Sequence, residues 1–238
     1  MAKNYTRETF RTREEWLGGR GFGGSSASAI IGKNPYMSKL ELYKACVNPG
    51  EEKKEKTSDS MTYGTLAEPL IRKMFSMDYG ERYKVHTPRS HEMYRRKDKK
   101  FLTATVDGIL TETETGRKGI LEIKTHDFRN GADEENWYGR IPDNYFIQVL
   151  HYMMVMDDMQ FAVLYAKIRY FKYDDQGSRT LDHSELRAYE PIERAAVLDQ
   201  IKWLEEKETE FWERYVSKRQ VPPDYIDFGE LGDDGQIQ

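Results

Sequence analysis

The chain lacks the features that mark secreted, membrane-bound and ATP-driven proteins. It has a single cysteine, Cys46, which excludes an internal disulfide and a four-cysteine zinc or iron–sulfur site. Its apolar runs fall far short of the ~20 residues that a membrane-spanning helix needs. The first residues, MAKNYTRETFRTREEW, lack the apolar stretch of a signal peptide, and no P-loop motif is present. We therefore expect a cytoplasmic protein that needs no membrane, iron–sulfur cluster or ATP.

What the sequence does contain is the composition of a folded domain. Its 238 residues are 33% charged and 13% aromatic, and no internal repeat or clear boundary divides them. We expect one domain over 1–238, with a core over about 20–172, a C-terminal helix over about 191–217 and a flexible acidic tail over 227–238. The net charge of −4 is mildly unfavourable for a nucleic-acid partner. Basic residues are nevertheless concentrated at 95–100, and a bound metal can offset acidic residues locally.

The hydrophobic patterns predict an α/β fold. Apolar residues at helical spacing predict helices, and short apolar runs predict strands. The predicted helices are Ser25–Ile31, Ser38–Val47, Tyr63–Met77, Pro142–Met156 and Ile192–Val216. The predicted strands are Tyr83–Tyr94, Phe101–Ile109, Lys118–Lys124 and Phe161–Phe171, with a short return strand at Arg179–Leu181. This order is typical of a mixed central β-sheet flanked by helices, and the polar segment Glu51–Ser60 is expected to be a mobile loop.

Two of the predicted strands carry the most informative residues. Asp107 lies in FLTATVDGIL, and Glu122 and Lys124 lie in GILEIKT. Residues two apart in a strand point to the same face, so Glu122 and Lys124 project together while their neighbours face a core. Two carboxylates can hold a divalent cation, and an amine beside them can handle a water or an anion. The combination suits metal-assisted hydrolysis of a phosphodiester.

Each of these residues alone has a simpler interpretation. Asp107 precedes a glycine and could be a turn residue, and Glu122 with Lys124 could be a surface ion pair. Together, in strongly apolar strands, they are poorly explained by surface chemistry, because buried carboxylates repel each other and need a cation. Glu68 and Gln148 add polar groups to the helices YGTLAEPLIRKMF and NYFIQVLHYMMVM. Their simpler interpretations are a helix-dipole glutamate and a satisfied core amide.

Several segments resemble one nuclease family. GILEIKT behind VDG resembles the PD-(D/E)XK nuclease motif. GFGGSSASAIIGKNPYMSKLELY, YGTLAEPLI and PDNYFIQVLHYMMVM resemble segments of the YqaJ-like viral recombinases, the lambda-type alkaline exonucleases. The segments occur in the family's order over about Arg20 to Tyr170. The resemblance implies a restriction-endonuclease-like core and a Mg²⁺-dependent 5′-to-3′ exonuclease, which degrades one strand of linear duplex DNA to leave 3′ single strands for recombination.

The resemblance also implies a set of metal ligands. Asp107 and Glu122 would bind Mg²⁺, or Mn²⁺ as a substitute. Glu68 would contribute directly or through a water, and the backbone carbonyl of Ile123 would be a further ligand. No ATP would be needed.

Further roles follow from the same resemblance. Lys124 would orient or help deprotonate the attacking water, and Gln148 would position the scissile phosphate or the lysine. The 5′ phosphate would be bound by Arg20, Ser25 and Thr105. A glycine-rich turn that only caps a helix is an alternative interpretation of the segment around Ser25, although a helix N-terminus is itself a phosphate site.

The family implies partners as well. These are linear double-stranded DNA, a single-strand annealing protein and further copies of the chain in a ring-shaped homo-oligomer, a trimer or a tetramer. Two alternative functions remain open. A restriction- or repair-type endonuclease on the same fold would use the acids and the lysine without a 5′-phosphate pocket. A non-catalytic DNA-binding or assembly protein would have no need of the acids and the lysine.

Overall fold

A computed structural model describes residues 3–48, 58–128 and 131–223 of the protein. The expected acidic tail at 227–238 and most of the expected loop at Glu51–Ser60 lie outside the described residues. Within the described ranges, no helix is long and apolar enough to cross a membrane.

The described residues form strands and helices in alternating groups. The strands are β1 (Tyr5–Thr9), β2 (Tyr83–His86), β3 (Glu92–Arg96), β4 (Thr103–Ala104), β5 (Gly108–Glu112), β6 (Lys118–Phe128), β7 (Phe161–Tyr173), β8 (Arg179–Ala188) and β9 (Ile192–Glu193). The α-helices are α1 (Arg13–Gly19), α2 (Gly24–Ile30), α3 (Lys39–Val47), α4 (Asp59–Asp78), α5 (Gly131–Trp137), α6 (Asp143–Val155) and α7 (Leu198–Phe211).

The strands are arranged in two sheets. The larger sheet has the order β2-β5-β6-β7-β8, with β9 paired to the start of β7, and the smaller sheet has the order β1-β3-β4. In the larger sheet β6 and β7 run parallel, whereas the other neighbouring strands are antiparallel. A parallel pair needs a long crossover connection, which α5 and α6 supply. The result is the mixed sheet flanked by helices that the sequence predicts.

Both faces of the central strands β6 and β7 are covered by helices. Leu121 and Ile123 pack with Ile71 and Phe75 of α4 on one face. Ile120 belongs to the core that α2, α6 and α7 form on the other face. Successive residues of a strand alternate between the two faces, so a polar side chain on β6 lies in the interior unless a cleft reaches it.

The predicted strand Phe101–Ile109 is wrong as a single element. It is two strands in different sheets, because β4 joins the smaller sheet and β5 the larger one. Asp107 lies in the bend just before β5, whereas the predicted strand included it. Tyr83–Tyr94 is divided in the same way into β2 and β3. An apolar run does not reveal such a break, because the residues on both sides of it are buried.

The C-terminal segment predicted as one helix is also divided. Its parts are β9, a 3₁₀ turn at Arg194–Val197, α7 and a π-helical turn at Trp212–Val216. Pairing with β7 holds the first residues in an extended conformation, which prevents an earlier helix start. On α7, Ile201, Leu204 and Phe211 are buried in the core, whereas Leu198 is exposed.

Three further differences concern the N-terminal elements, β8 and α4. The N-terminal elements β1 and α1 were not predicted, and β8 continues well beyond the short return strand expected at Arg179–Leu181. On α4, Ile71 and Phe75 are buried, whereas Leu66 and Leu70 at the same helical spacing are exposed. Helical periodicity therefore identifies the helix but not which of its apolar residues face the core.

Candidate active site at the open end of the β5–β6 ladder

The strands β5 and β6 separate beside Asp107. Their ladder ends at the pair Gly108 and Leu121. Two residues further along β6, the backbone amide of Ile123 donates to Asp107 Oδ2 over 2.7 Å, so a carboxylate replaces the next backbone acceptor. A buried amide without an acceptor is costly, and this contact satisfies it. The same contact fixes Asp107 at the open end of the ladder.

Glu122 and Lys124 meet on one face of β6. Lys124 Nζ lies 2.6 Å from Glu122 Oε1 and donates to Gln148 Oε1 over 3.0 Å. The amide nitrogen of Gln148 donates to Glu122 Oε1 and to the hydroxyl oxygen of Tyr152, each over 2.7 Å. Gln148 and Tyr152 lie one turn apart on α6 and so share a face. The glutamine therefore holds both the acid and the lysine of the Glu-X-Lys motif.

These side chains line a cleft of about 260 Å³ between α4, α6 and the sheet. The lining residues are Gly64, Glu68, Asp107, Glu122, Ile123, Lys124, Thr125, Gln148 and Tyr152. All the residues predicted to be catalytic thus line one cavity, although they come from three different elements and a bend. A concave site with several converging ionisable groups is the usual form of an active site.

Burial raises the pKa values of both acids, and the charge of Asp107 adds to the rise at Glu122. Burial first, and then the charge of Asp107, raises the pKa of Glu122 to about 8. Burial likewise raises the pKa of Asp107. Burial alone would lower the pKa of Lys124, but the charges of Glu122 and Asp107 outweigh it and raise that pKa. The cleft therefore holds more acid than one lysine balances, and a bound cation would relieve the excess.

One oxygen of Glu122 has no donor among the described residues. Glu122 is 2% exposed, and its Oε2 is buried without a hydrogen-bond partner. Leaving a buried carboxylate oxygen unsatisfied is costly. Carboxylate and carbonyl oxygens are the ligands that Mg²⁺ and Mn²⁺ prefer. The donor set of Asp107, Glu122 and the Ile123 carbonyl therefore fits a cation of this type.

Glu68 lies in the same cleft but is held by Arg72. The two residues form an ion pair one turn apart on α4. Burial, followed by the charge of Asp107, raises the pKa of Glu68, which shows that it senses the other acids. Within the described ranges, no three acids, histidines or cysteines lie close enough together to form a metal cluster. Glu68 therefore lines the same cleft as the other two acids, but its carboxylate is paired with an arginine.

The predicted 5′-phosphate residues lie on adjoining segments. The amide of Phe22 donates to the Phe101 carbonyl, and the amide of Thr103 donates to the Phe22 carbonyl. The segment that carries Arg20 therefore runs beside the segment that leads to Thr105. Local sequence could not show this pairing, because about 80 residues separate the two segments.

The start of α2 packs directly on the residues of the cleft. A Cβ atom at Gly24 would lie 2.6 Å from Gln148 Cγ and 2.7 Å from Tyr152 Cε1, so only glycine permits this approach. Ser25 follows in the first turn of α2 and is exposed. Burial raises the pKa of Tyr152, and the charge of exposed Arg20 opposes that rise. Arg20 and Ser25 thus lie on either side of Gly24 at the start of α2, a segment called the α2 rim below, and neither they nor Thr105 are among the residues that line the cleft.

A second buried charge pair was missed in the sequence. His151 Nδ1 lies 2.8 Å from Glu208 Oε1, and His151 Nε2 lies 2.9 Å from the Thr103 carbonyl, with both side chains fully buried. Because both ring nitrogens face acceptors, both carry hydrogens and the imidazole is charged. Burial alone would lower the pKa of His151, but Glu208 raises it. A histidine inside an apolar helix was the available signal, but it does not identify a partner on α7.

Comparison with known proteins identifies the family. The YqaJ-like viral recombinase domain matches residues 15–158, more than half of the chain. The chain belongs to the YqaJ-like viral recombinase family. It is 33% identical over 152 residues to the uncharacterized protein YqaJ of Bacillus subtilis (strain 168), an alignment that covers 61% of this chain and 43% of that protein. This YqaJ-like chain therefore matches less than half the length of that relative.

Two solved structures share the fold of this YqaJ-like domain. The alkaline exonuclease LHK-Exo from Laribacter hongkongensis is 18% identical, with a TM-score of 0.54, and the match covers 88% of this chain and 100% of that one. LHK-Exo in complex with dAMP is 17% identical over the same shares, with a TM-score of 0.50. At these identities the likeness establishes the fold, which is the predicted PD-(D/E)XK type of mixed α/β core.

Proposed function

We propose that this protein is a Mg²⁺-dependent 5′-to-3′ exonuclease that degrades one strand of linear duplex DNA. The observation that carries the proposal is the open end of the β5–β6 ladder, where the buried acids Asp107 and Glu122 line one cleft together with Lys124. Membership of the recombinase family and the exonuclease named among the fold neighbours support the same class of reaction.

The residues of the cleft fit hydrolysis of a phosphodiester by water. Mg²⁺, or Mn²⁺ in its place, would be held by Asp107, Glu122 and the Ile123 carbonyl, and it would supply polarisation of the phosphate and acidification of a bound water. Lys124 is fixed by Glu122 and Gln148, so its charge is placed to orient the water and to stabilise the phosphorane oxygens. Gln148 positions the lysine and would steady the scissile phosphate.

The proposed 5′ direction rests on Arg20 and Ser25 of the α2 rim and on Thr105, which follows β4. A guanidinium and hydroxyl groups are suited to a terminal phosphate, which offers several acceptor oxygens. Contact of Gly24 with Gln148 links this rim to the cleft, so a bound 5′ end would lie close to the hydrolytic residues. The products would be 5′ mononucleotides and a 3′ single strand.

Several partners belong to the same proposal. The 3′ strand would pass to a single-strand annealing protein in the cytoplasm, which for a phage-encoded protein is that of the host. A ring-shaped trimer or tetramer would keep the enzyme on its substrate without ATP. These proposals rest on the family to which the chain belongs.

Linear duplexes with either a 5′ phosphate or a 5′ hydroxyl test the proposal, each incubated with Mg²⁺ and with a chelator. The expected result is Mg²⁺-dependent release of mononucleotides from the 5′ end, faster for the phosphorylated strand. Closed circular duplex of the same sequence serves as the substrate without ends. Comparable cleavage of circular and linear DNA would instead indicate a restriction- or repair-type endonuclease on this fold.

A further inference from the structure

Arg72 is a largely buried cation beside the cleft with no role in the chemistry proposed above. Its side chain is 13% exposed and forms an ion pair with Glu68, one turn earlier on α4. Its Nε is buried and has no hydrogen-bond partner among the described residues. A buried guanidinium with an unused donor is expensive to maintain, so its position calls for an explanation.

The charge of Arg72 reaches the acids of the cleft. Burial raises the pKa of Asp107, while Lys124, the Ile123 amide and Arg72 lower it. Arg72 is therefore a second positive charge near the converging carboxylates. Its ion pair engages Glu68, which lines the same cleft as Asp107 and Glu122.

An ordinary helix-surface pair does not have these properties. Glu210 and Arg214 have the same spacing, and their side chains are 49% and 54% exposed. Exposed pairs of this kind contribute little to stability. Glu68 and Arg72 are 38% and 13% exposed and lie next to further acids. The difference points to a role in the cleft and not only in the helix.

We propose that Arg72 is a positioning residue that competes with the metal ion for Glu68. In the free protein, Arg72 engages the carboxylate of Glu68. When a cation binds, Glu68 turns to it, directly or through a water, and leaves Arg72. The competition keeps the cation affinity of the free protein low, so that a phosphate oxygen of the substrate completes the ligand set. The inference rests on the proposed metal site.

Calorimetric titration with Mn²⁺ in the absence of DNA tests this competition. The proteins compared are the wild type, Arg72→Met, Glu68→Gln and the double variant. Arg72→Met keeps the side-chain volume and removes the competing charge, so Mn²⁺ should bind about five times more tightly. In the Glu68→Gln background the same change should give no gain, since the carboxylate that is competed for is absent. Arg214→Met is the matched control and should bind Mn²⁺ as the wild type does.

Each outcome of the titration is informative. An unchanged or weaker affinity in Arg72→Met overturns the competition. An equal gain with and without Glu68 also overturns it, because the effect would then be charge at a distance. Arg72→Gln provides a second uncharged variant with the same expectation, should Arg72→Met fold poorly, and Arg72→Lys should return the affinity toward the wild-type value. Failure of the wild type to bind Mn²⁺ would instead refute the metal site and leave nothing for Arg72 to compete with.

Discussion

Helix α6 carries two buried polar clusters, and only one of them is balanced. On one face His151 pairs with Glu208, one positive charge meets one negative charge, and both ring nitrogens have acceptors. On another face Gln148 contacts Glu122 and Lys124, where two acids share one lysine. One oxygen of Glu122 has no donor among the described residues.

The difference between the clusters distinguishes a structural charge pair from a candidate active site. A buried pair whose partners are all present joins elements together, and here it ties α6 to α7 and β4. A buried cluster with excess acid keeps a proton or binds a cation, and such perturbed groups are characteristic of functional sites. Both clusters are buried, so burial alone would not have distinguished them.

The largest expected effect is on catalysis, from a change in the unbalanced cluster. Lys124→Met should lower the rate of nucleotide release by about 10³-fold or more, because a charge that stabilises the transition state is lost from a water-poor site. Release of labelled mononucleotides from linear duplex measures it. Lys167→Met, a change on β7 outside the cleft, is the control. Full activity of Lys124→Met would mean that the chain's acids and lysine are not hydrolytic.

The next largest effect is on stability, from a change in the balanced cluster. His151→Leu leaves the carboxylate of Glu208 buried without its partner and should lower the free energy of unfolding by about 3–5 kcal/mol. Urea denaturation measures the loss. His183→Leu, at an exposed histidine on β8, should change stability little.

A second variant sharpens this test. His151→Leu with Glu208→Leu removes both charges and should recover much of the stability. Activity per folded molecule should fall far less in these variants than in Lys124→Met. A loss as large as that of Lys124→Met would erase the distinction between the two clusters.

A smaller effect concerns pH and the apo protein. The pKa of Glu122 is raised to about 8 in the folded state, so folding stability from its bound proton is present at acidic pH and is lost as pH rises through 8. Without divalent cations, Glu122→Gln should gain about 1–3 kcal/mol over the wild type between pH 5 and pH 9. Thermal unfolding across this range measures the gain. The control is Glu210→Gln, at an exposed glutamate, whose unfolding free energy should differ from that of the wild type by the same amount at every pH. If the difference in unfolding free energy between Glu122→Gln and the wild type did not change with pH, the pKa of Glu122 would not be raised in the folded protein.

The smallest expected effect concerns the contact between α2 and α6. Gly24→Ala places a methyl group against Gln148 and Tyr152, so the cleft must shift and kcat should fall about tenfold. Gly18→Ala, where a Cβ meets no atom within 4 Å, is the control. Steady-state kinetics on 5′-phosphorylated duplex distinguishes the two. Equal rates would show that the α2 rim does not position the glutamine.

Parts of this arrangement follow from sequence and parts do not. Strand alternation places Glu122 with Lys124, and helical spacing places Tyr152 beside Gln148, because both relations are local. The break before Asp107 is not local, since it depends on β4 and β5 joining different sheets. His151 finds Glu208 only through the packing of α6 on α7. The spacing of Glu68 and Arg72 was visible in the sequence, but their position beside the acids was not.

Cation binding to the wild type and to Glu122→Gln, measured calorimetrically near pH 7 in buffers of different ionisation enthalpy, shows directly whether the cluster of Asp107, Glu122 and Lys124 is a metal site. Because the pKa of Glu122 is about 8, the cation must displace its proton. We expect the wild type to bind Mg²⁺ or Mn²⁺ with release of protons, whereas Glu122→Gln should bind weakly and release fewer protons. Equal affinity and equal proton release in the two proteins would show that the unbalanced cluster is not a metal site.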